Sequence, residues 1–218
     1  MPDLRTFPGT ADFYFIRHGQ SESNRDGIIQ GRLPSRLTEE GRSQARAAGG
    51  WFAGKALDLV LTSPLARASE TADIIGAETG VTVLTVPELI EIDTGIFSGL
   101  TFAQAEERHP GDWRAFQGLS WEAVPEAERI EALVRRAELV WSRLTTLALE
   151  GRTRVLCVSH GGFLQWLIRC TLGGRTWMPL FGAAGNCCVS HLKVVNTQLA
   201  GGERGHLATW MLINALVG

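Results

Sequence analysis

FYFIRHG, residues 13–19, runs four aromatic or β-branched residues directly into an arginine, a histidine and a glycine. An unbroken apolar run of this kind suits a strand covered on both faces, as in a parallel sheet sandwiched between helices. Gly19 breaks the pattern, so Arg17 and His18 stand at the C-terminal edge of that strand. VLCVSHGG, residues 155–162, passes from an apolar strand into His-Gly in the same way. In an open parallel sheet the C-terminal ends of adjacent strands share one crevice. If the two strands are neighbours, His18 and His160 face each other. Gly161 and Gly162 then open a helix whose first amides are a ready anion site.

Working outward, DLVLT (58–62), TVLTV (82–86), RVLCVS (154–159), CVSHLKVV (188–195) and HLATWMLI (206–213) read as further strands, rich in Val, Leu, Ile and Thr. Helices fill the gaps. One begins at Thr38, with Glu39 and Glu40 in its first turn and Ala45, Ala48 and Phe52 on one face. A second begins at Ser63 as N-cap, with Pro64 at the first helical position, and runs to about Glu78. A third covers about 126–150, with Ile130, Leu133, Val134, Ala137 and Trp141 at helical spacing. This order predicts an α/β three-layer sandwich with a mostly parallel central sheet flanked by helices. A chain of 218 residues with 44% hydrophobic content supports one substantial core, so a single domain over 1–218 is expected. Between about 100 and 125 the periodicity weakens around Trp113, Phe116 and Trp121, which reads as a cap-like excursion over the sheet.

The charge balance, 21 basic against 23 acidic residues, offers no surface for nucleic acid or an anionic membrane. Nowhere do eighteen apolar residues run together, and the first residues lack a secretory pattern, so a soluble cytoplasmic protein is expected. Cys157, Cys170, Cys187 and Cys188 lack zinc-ligand spacing and read as reduced, buried thiols. Lys55 and Lys193 are the only lysines, so anion recognition falls to arginines, whose planar fork suits phosphate. His109, His191 and His206 have no matching context and read as surface or strand residues.

Two histidines with arginines fit attack of a neutral imidazole on phosphorus, with cations holding the phosphoryl oxygens and a carboxylic acid protonating the leaving oxygen. Arg17 is one donor. Arg67, in the first turns of the helix after the second strand, is another. On residue types alone, a metal site built from His18, His160, Glu91 and Asp93 remains open.

RHGQSESN (17–24), QGRLPSRLTEEG (30–41), TSPLARASETA (62–72), LIEIDTGIFSG (89–99) and VSHGG (158–162) resemble, in order, the motifs of the histidine phosphatase superfamily, in its phosphoglycerate-mutase-like branch. The resemblance spans most of the chain. It implies that His18 is a transiently phosphorylated nucleophile and that Glu91 is the proton donor. It places Arg17, Arg67 and His160 in the phosphate pocket and Asn24 near it, and Gly161 joins them through the helix amides. No metal or cofactor is implied. Pro34 replaces an acidic residue common in relatives, and IFSG lacks their tryptophan.

Mutases of the family typically carry a longer, arginine-rich insertion, whereas the 100–125 segment offers only Arg108 and Arg114 beside His109. The expected activity is therefore hydrolysis of small phosphorylated metabolites. Phosphoglycerate mutase is the alternative, and a non-catalytic docking module a more distant one. Trp113, Phe116 and Trp121 read either as an apolar lid or as anchors of the excursion. The apolar strands 188–195 and 206–213 leave a homodimer open.

Overall fold

The computed structural model describes residues 3–116, 120–173, 184–198 and 204–217. Six strands form one sheet: β1 (Gly9–Arg17), β2 (Leu59–Thr62), β3 (Val83–Thr85), β4 (Arg154–Ser159), β5 (Val189–Gln198) and β6 (Arg204–Ala215). The spatial order is β3-β2-β4-β1-β5-β6. The first four are mutually parallel, β5 runs antiparallel to β1, and β6 runs antiparallel to β5. The helices are α1 (Glu22–Arg25), α2 (Glu39–Ala53), α3 (Ala66–Thr79), α4 (Phe102–Arg108), α5 (Pro110–Phe116), α6 (Ile130–Leu149) and α7 (Gly161–Thr171).

Strand alternation sorts the side chains into two layers. Phe13, Phe15, Leu59, Leu61, Val155 and Cys157 face α6 and α7, where they meet Leu133, Ala137, Trp141 and Phe163. Tyr14, Ile16, Val60, Leu156 and Val158 face α2 and α3, meeting Ala45, Ala48, Phe52, Ala72 and Ile75. The run FYFI is therefore buried on both faces, and this is the physical content of the three-layer sandwich.

Thr38 caps α2 by accepting the Gly41 amide at 3.0 Å. The expected cap at Ser63 differs: α3 starts at Ala66 with Leu65 as N-cap and no side-chain cap bond. The Ser63 hydroxyl is engaged elsewhere, as described below. The long helix starts at Ile130, later than expected, because Glu126 takes a left-handed backbone (φ 63°) that no helix admits. β5 is paired on both sides, so only β6 of the two apolar strands lies at a sheet edge. Cys188 is half-buried, unlike the other three thiols, which are buried. Among the described residues no helix is long and apolar enough to cross a membrane.

The 100–125 excursion contains α4, α5 and a short 3-10 turn at Trp121–Ala123; residues 117–119 lie outside the described residues. Its aromatics pack on one another: Phe116 meets Trp121 at 4.5 Å between ring centroids, and Trp113 meets Phe97 at 6.2 Å. They form a satellite core with Ile29, Ala105 and Val124. This packing fits the anchoring role.

At the mouth of the sheet two backbones cross with no room for side chains. A Cβ on Gly19 would lie 2.3 Å from the Gly41 carbonyl oxygen, and one on Gly41 would lie 2.1 Å from the Gln20 oxygen. By helix propensity alone, Gly41→Ala would stabilise α2 by about 1 kcal/mol. The clash with fixed backbone is expected to outweigh that gain, with overpacking costing about 1–3 kcal/mol. Urea unfolding of Gly41→Ala should show net destabilisation; net stabilisation would mean the crossing is loose.

Candidate active site

Pairing of β1 with β4 sets Arg17 opposite Ser159. The residues that follow, His18 and His160, leave the sheet side by side with ring centroids 5.0 Å apart. Both are buried. The His18 amide continues the ladder to the Ser159 carbonyl at 3.0 Å, which fixes the turn out of the strand.

Partners fix the tautomer of His18. Nδ1 lies 2.7 Å from the Gly19 carbonyl oxygen, an acceptor only, so Nδ1 carries the proton. Nε2 accepts the Nε–H of Arg67 at 3.2 Å and so holds the lone pair. Burial, then the charges of Arg17 and Arg67, hold this imidazole well below its ordinary value near 6.5, so it is neutral at physiological pH. His160 is lowered likewise, first by burial and then by its cationic neighbours. Its Nε2 lies 2.7 Å from the Ser63 hydroxyl, which also accepts the Leu65 amide, and its Nδ1 has no partner among the described residues.

Arg67 is a buried cation held without a carboxylate contact. Its Nη1 and Nη2 donate to the carbonyls of Leu33 (2.9 Å) and Gly31 (2.8 Å), so the 31–33 loop acts as its cradle. Burial pulls its guanidinium down to about 10, still protonated at neutral pH. Arg17 donates from Nη1 to the Ala184 carbonyl, and its Nε is buried without a partner. A Cβ on Gly161 would sit 3.5 Å from that Nε, so the bare glycine leaves space beside it.

The helix opens at Gly161, and Glu91 takes the next two amides. Glu91 Oε2 accepts the Gly162 amide (3.2 Å), and Oε1 accepts the amides of Phe163 (2.9 Å) and Ile92 (2.8 Å). The anion at this helix N-terminus is the protein's own carboxylate. Glu91 also favours the charged forms of Arg17 and Arg67. Gly162 is required for this contact, since a Cβ there would lie 2.8 Å from Oε1.

Asn24 stands at the margin. Its Oδ1 accepts from the Ser21 amide (3.2 Å) and from Asn186 Nδ2 (3.1 Å), and Asn186 also donates to the His18 carbonyl (3.0 Å). The alternative metal set does not assemble: among the described residues no three His, Cys, Asp or Glu side chains converge as a metal site. Asp93 instead caps the turn at Gly95 (3.1 Å).

Sequence reading missed Ser63 as a histidine partner, together with Asn186, Arg32, Glu128 and Arg136. One signal was available. Leu133, Arg136, Ala137 and Val140 follow the i, i+3, i+4, i+7 pattern of a buried stripe, and a cation within that stripe demands a polar partner.

Residues 13–200 match the family model described as "Histidine phosphatase superfamily (branch 1)". Over 187 residues the chain is 29% identical to a Salmonella arizonae protein named "Probable phosphoglycerate mutase GpmB", covering 85% of this chain and 86% of that one. A mycobacterial glucosyl-3-phosphoglycerate phosphatase, solved with VO3, superposes with a TM-score of 0.77 at 27% identity, over 94% of this chain and 99% of that one. The alpha-ribazole phosphatase from Shigella flexneri gives a TM-score of 0.76 at 26% identity, covering 94% and 97%.

The two depressed histidines make stability depend on pH. Below about 6.5 the unfolded chain protonates them while the folded chain keeps them neutral. Their contribution is therefore complete above that pH and is lost as pH falls, by up to about 1.4 kcal/mol per pH unit for each. Urea unfolding between pH 7 and 5 should show this decline, and His160→Asn should flatten it. An unchanged slope in the variant would show that His160 is not buried neutral.

Proposed function

Because the chain belongs to the histidine phosphatase superfamily, we propose that it hydrolyses phosphomonoesters of small metabolites through a phosphohistidine at His18. The observation that carries this reading is the locked tautomer of His18. With the proton on Nδ1 held by the Gly19 carbonyl, Nε2 presents a lone pair beside the buried guanidinium of Arg67, with the half-buried Arg17 nearby.

The incoming phosphoryl group takes the place of the Arg67 Nε–H on that lone pair. Arg67 itself stays in position, tethered to the Gly31 and Leu33 carbonyls. Nε2 attacks phosphorus in line, the P–O bond to the leaving group breaks, and its electron pair departs with the oxygen. Glu91, having taken up a proton from solvent, gives it to that oxygen. The unpartnered donors, Arg17 Nε and His160 Nδ1, supply hydrogen bonds to the equatorial oxygens as charge spreads over them. Water then attacks the phosphohistidine, its proton passes to Glu91, and the P–N pair returns to Nε2. Fixed cations do the electrostatic work throughout, so the scheme needs no metal.

Hydrolysis is favoured over mutase chemistry by the excursion. Its aromatics form their own core, and the Nε of Arg114 is turned back to the Pro110 carbonyl at 3.2 Å. That leaves Arg108, exposed at the end of α4, as the cation of these two helices with no such tie to hold a second phosphate. A docking module without catalysis would not require a tautomer-locked nucleophile beside an amide-anchored carboxylate.

The test is steady-state phosphate release from phosphorylated sugars, glycerates, nucleotides and an aryl phosphate, with EDTA present. Release should persist in EDTA and fall on the order of 10³-fold or more in His18→Ala, as expected of a covalent nucleophile. Isomerisation of 3-phosphoglycerate in place of release would make the protein a mutase. Silence in both assays would leave a binding role.

A further inference from the structure

Glu91 lies on a segment without regular structure, yet two proton transfers at a defined place require it to be held within a fraction of an ångström. Its carboxylate is anchored by α7, but that does not fix the backbone from which it reaches. The backbone is held from the opposite side by a residue of α6. Arg136 donates from Nη1 to the carbonyls of Glu88 (2.8 Å) and Ile90 (2.7 Å), and from Nη2 to that of Glu91 at 3.5 Å, a long contact. Its Nε and Nη2 form a bidentate fork on Glu128, both at 2.8 Å. The flat face of the guanidinium lies over Phe163, 4.1 Å from the ring centroid. The amide of Phe163 is one of those that hold Glu91 Oε1.

Glu128 completes the arrangement. Its Oε2 accepts from Arg32 Nη2 at 2.9 Å, while Arg32 Nε donates to the Glu91 carbonyl at 3.2 Å. Its own amide donates to the Asp93 carbonyl at 3.0 Å. The Arg136 and Glu128 side chains are 14% and 9% exposed, against 38% for Arg32, so the inner pair is largely shielded from water.

We propose that Arg136 and Glu128 are positioning residues for Glu91: a forked ion pair that fixes both the backbone of residues 88–91 and the ring of the residue whose amide holds the carboxylate. The inference rests on the reading of Glu91 as the proton donor. Stability alone does not account for the pair. A buried ion pair contributes little net stability compared with apolar side chains of similar volume, and Arg136 occupies a position in an otherwise apolar helix stripe. What the fork provides is geometry, because a planar guanidinium fixes direction as well as distance.

A positioning role leaves a signature that a purely structural role would not. An alkoxide leaving group needs the proton from Glu91 as the P–O bond breaks, whereas a nitrophenolate is stable without it. The test compares Arg136→Lys, which keeps the charge but loses the fork, and Glu128→Gln, which keeps the shape but loses the charge, with Glu91→Gln. Each is assayed on an alkyl phosphate and on p-nitrophenyl phosphate, with circular dichroism to confirm folding.

The expected result is a loss of about 10–100-fold in kcat/KM on the alkyl ester, the scale of a small misplacement. On the aryl ester kcat/KM should stay within about threefold while kcat falls, because the attacking water still needs Glu91. Should Arg136→Lys fail to fold, the same pattern in Glu128→Gln carries the test. Equal losses on both esters, or none on either, would overturn the inference while Glu91→Gln still discriminates between them. If Glu91→Gln itself does not discriminate, the proton-donor reading fails and takes the inference with it.

Discussion

The in-register parallel pairing of β1 and β4, from Asp12 opposite Arg154 to Arg17 opposite Ser159, is the constraint on which the rest depends. It brings two histidines out of the sheet at one level. It is enforced by burial on both faces: a one-residue slip of β1 would turn Phe13 and Phe15 toward α2 and α3 and Tyr14 and Ile16 toward α6 and α7. Each layer is filled to match the side chains it receives, so the slipped register would lose both. Beyond the strand ends, the glycine-to-glycine crossing of Gly19 and Gly41 holds the His18 turn against the start of α2. The core thus specifies the site by specifying where the strands stop.

Around the two imidazoles the protein places one buried and one half-buried guanidinium group, Arg67 and Arg17, whose first partners are carbonyl oxygens. Uncompensated buried charge is costly, and carbonyl dipoles offset only part of that cost. Loops supply the carbonyls, Gly31 and Leu33 for Arg67 and Ala184 for Arg17. Burial first, and then this positive charge, keeps both histidines neutral. In the proposed reaction the charge serves two ends, since it attracts a phosphoryl dianion and helps keep a proton off the lone pair that attacks it.

Strands and most helices were legible because their signals are local. The FYFI run, the Thr38 cap and the left-handed Gly80 that ends α3 each depend on a few neighbours. The residues His18, His160, Arg17, Arg67 and Glu91 were legible from motif order, and the structure brings them together. What the sequence hid is the allocation of partners. Ser63 has every local mark of an N-cap, but a buried imidazole across the sheet claims its hydroxyl. The Gly162 and Phe163 amides at the start of α7 look free until Glu91, 71 positions earlier than Gly162, takes both. Asn186 and Glu128 lie in stretches without periodicity, and nothing near them in sequence reveals that they touch His18 and the Glu91 segment.

That allocation separates two anions that one site must hold. A phosphoryl group and a carboxylate compete for the same donors when both lie at a helix N-terminus. Here the Gly162 and Phe163 amides of α7 go to Glu91, and Arg17 Nε and His160 Nδ1, which have no partner among the described residues, are side-chain nitrogens at the C-terminal edge of the sheet. In the proposed reaction the phosphate therefore enters and leaves without disturbing the groups that hold the acid. Gly162 makes the separation sterically feasible by admitting the carboxylate against the helix, and the α6 fork keeps its backbone from following the substrate. A proton donor that must serve first the leaving oxygen and then the incoming water gains from being tethered independently of both.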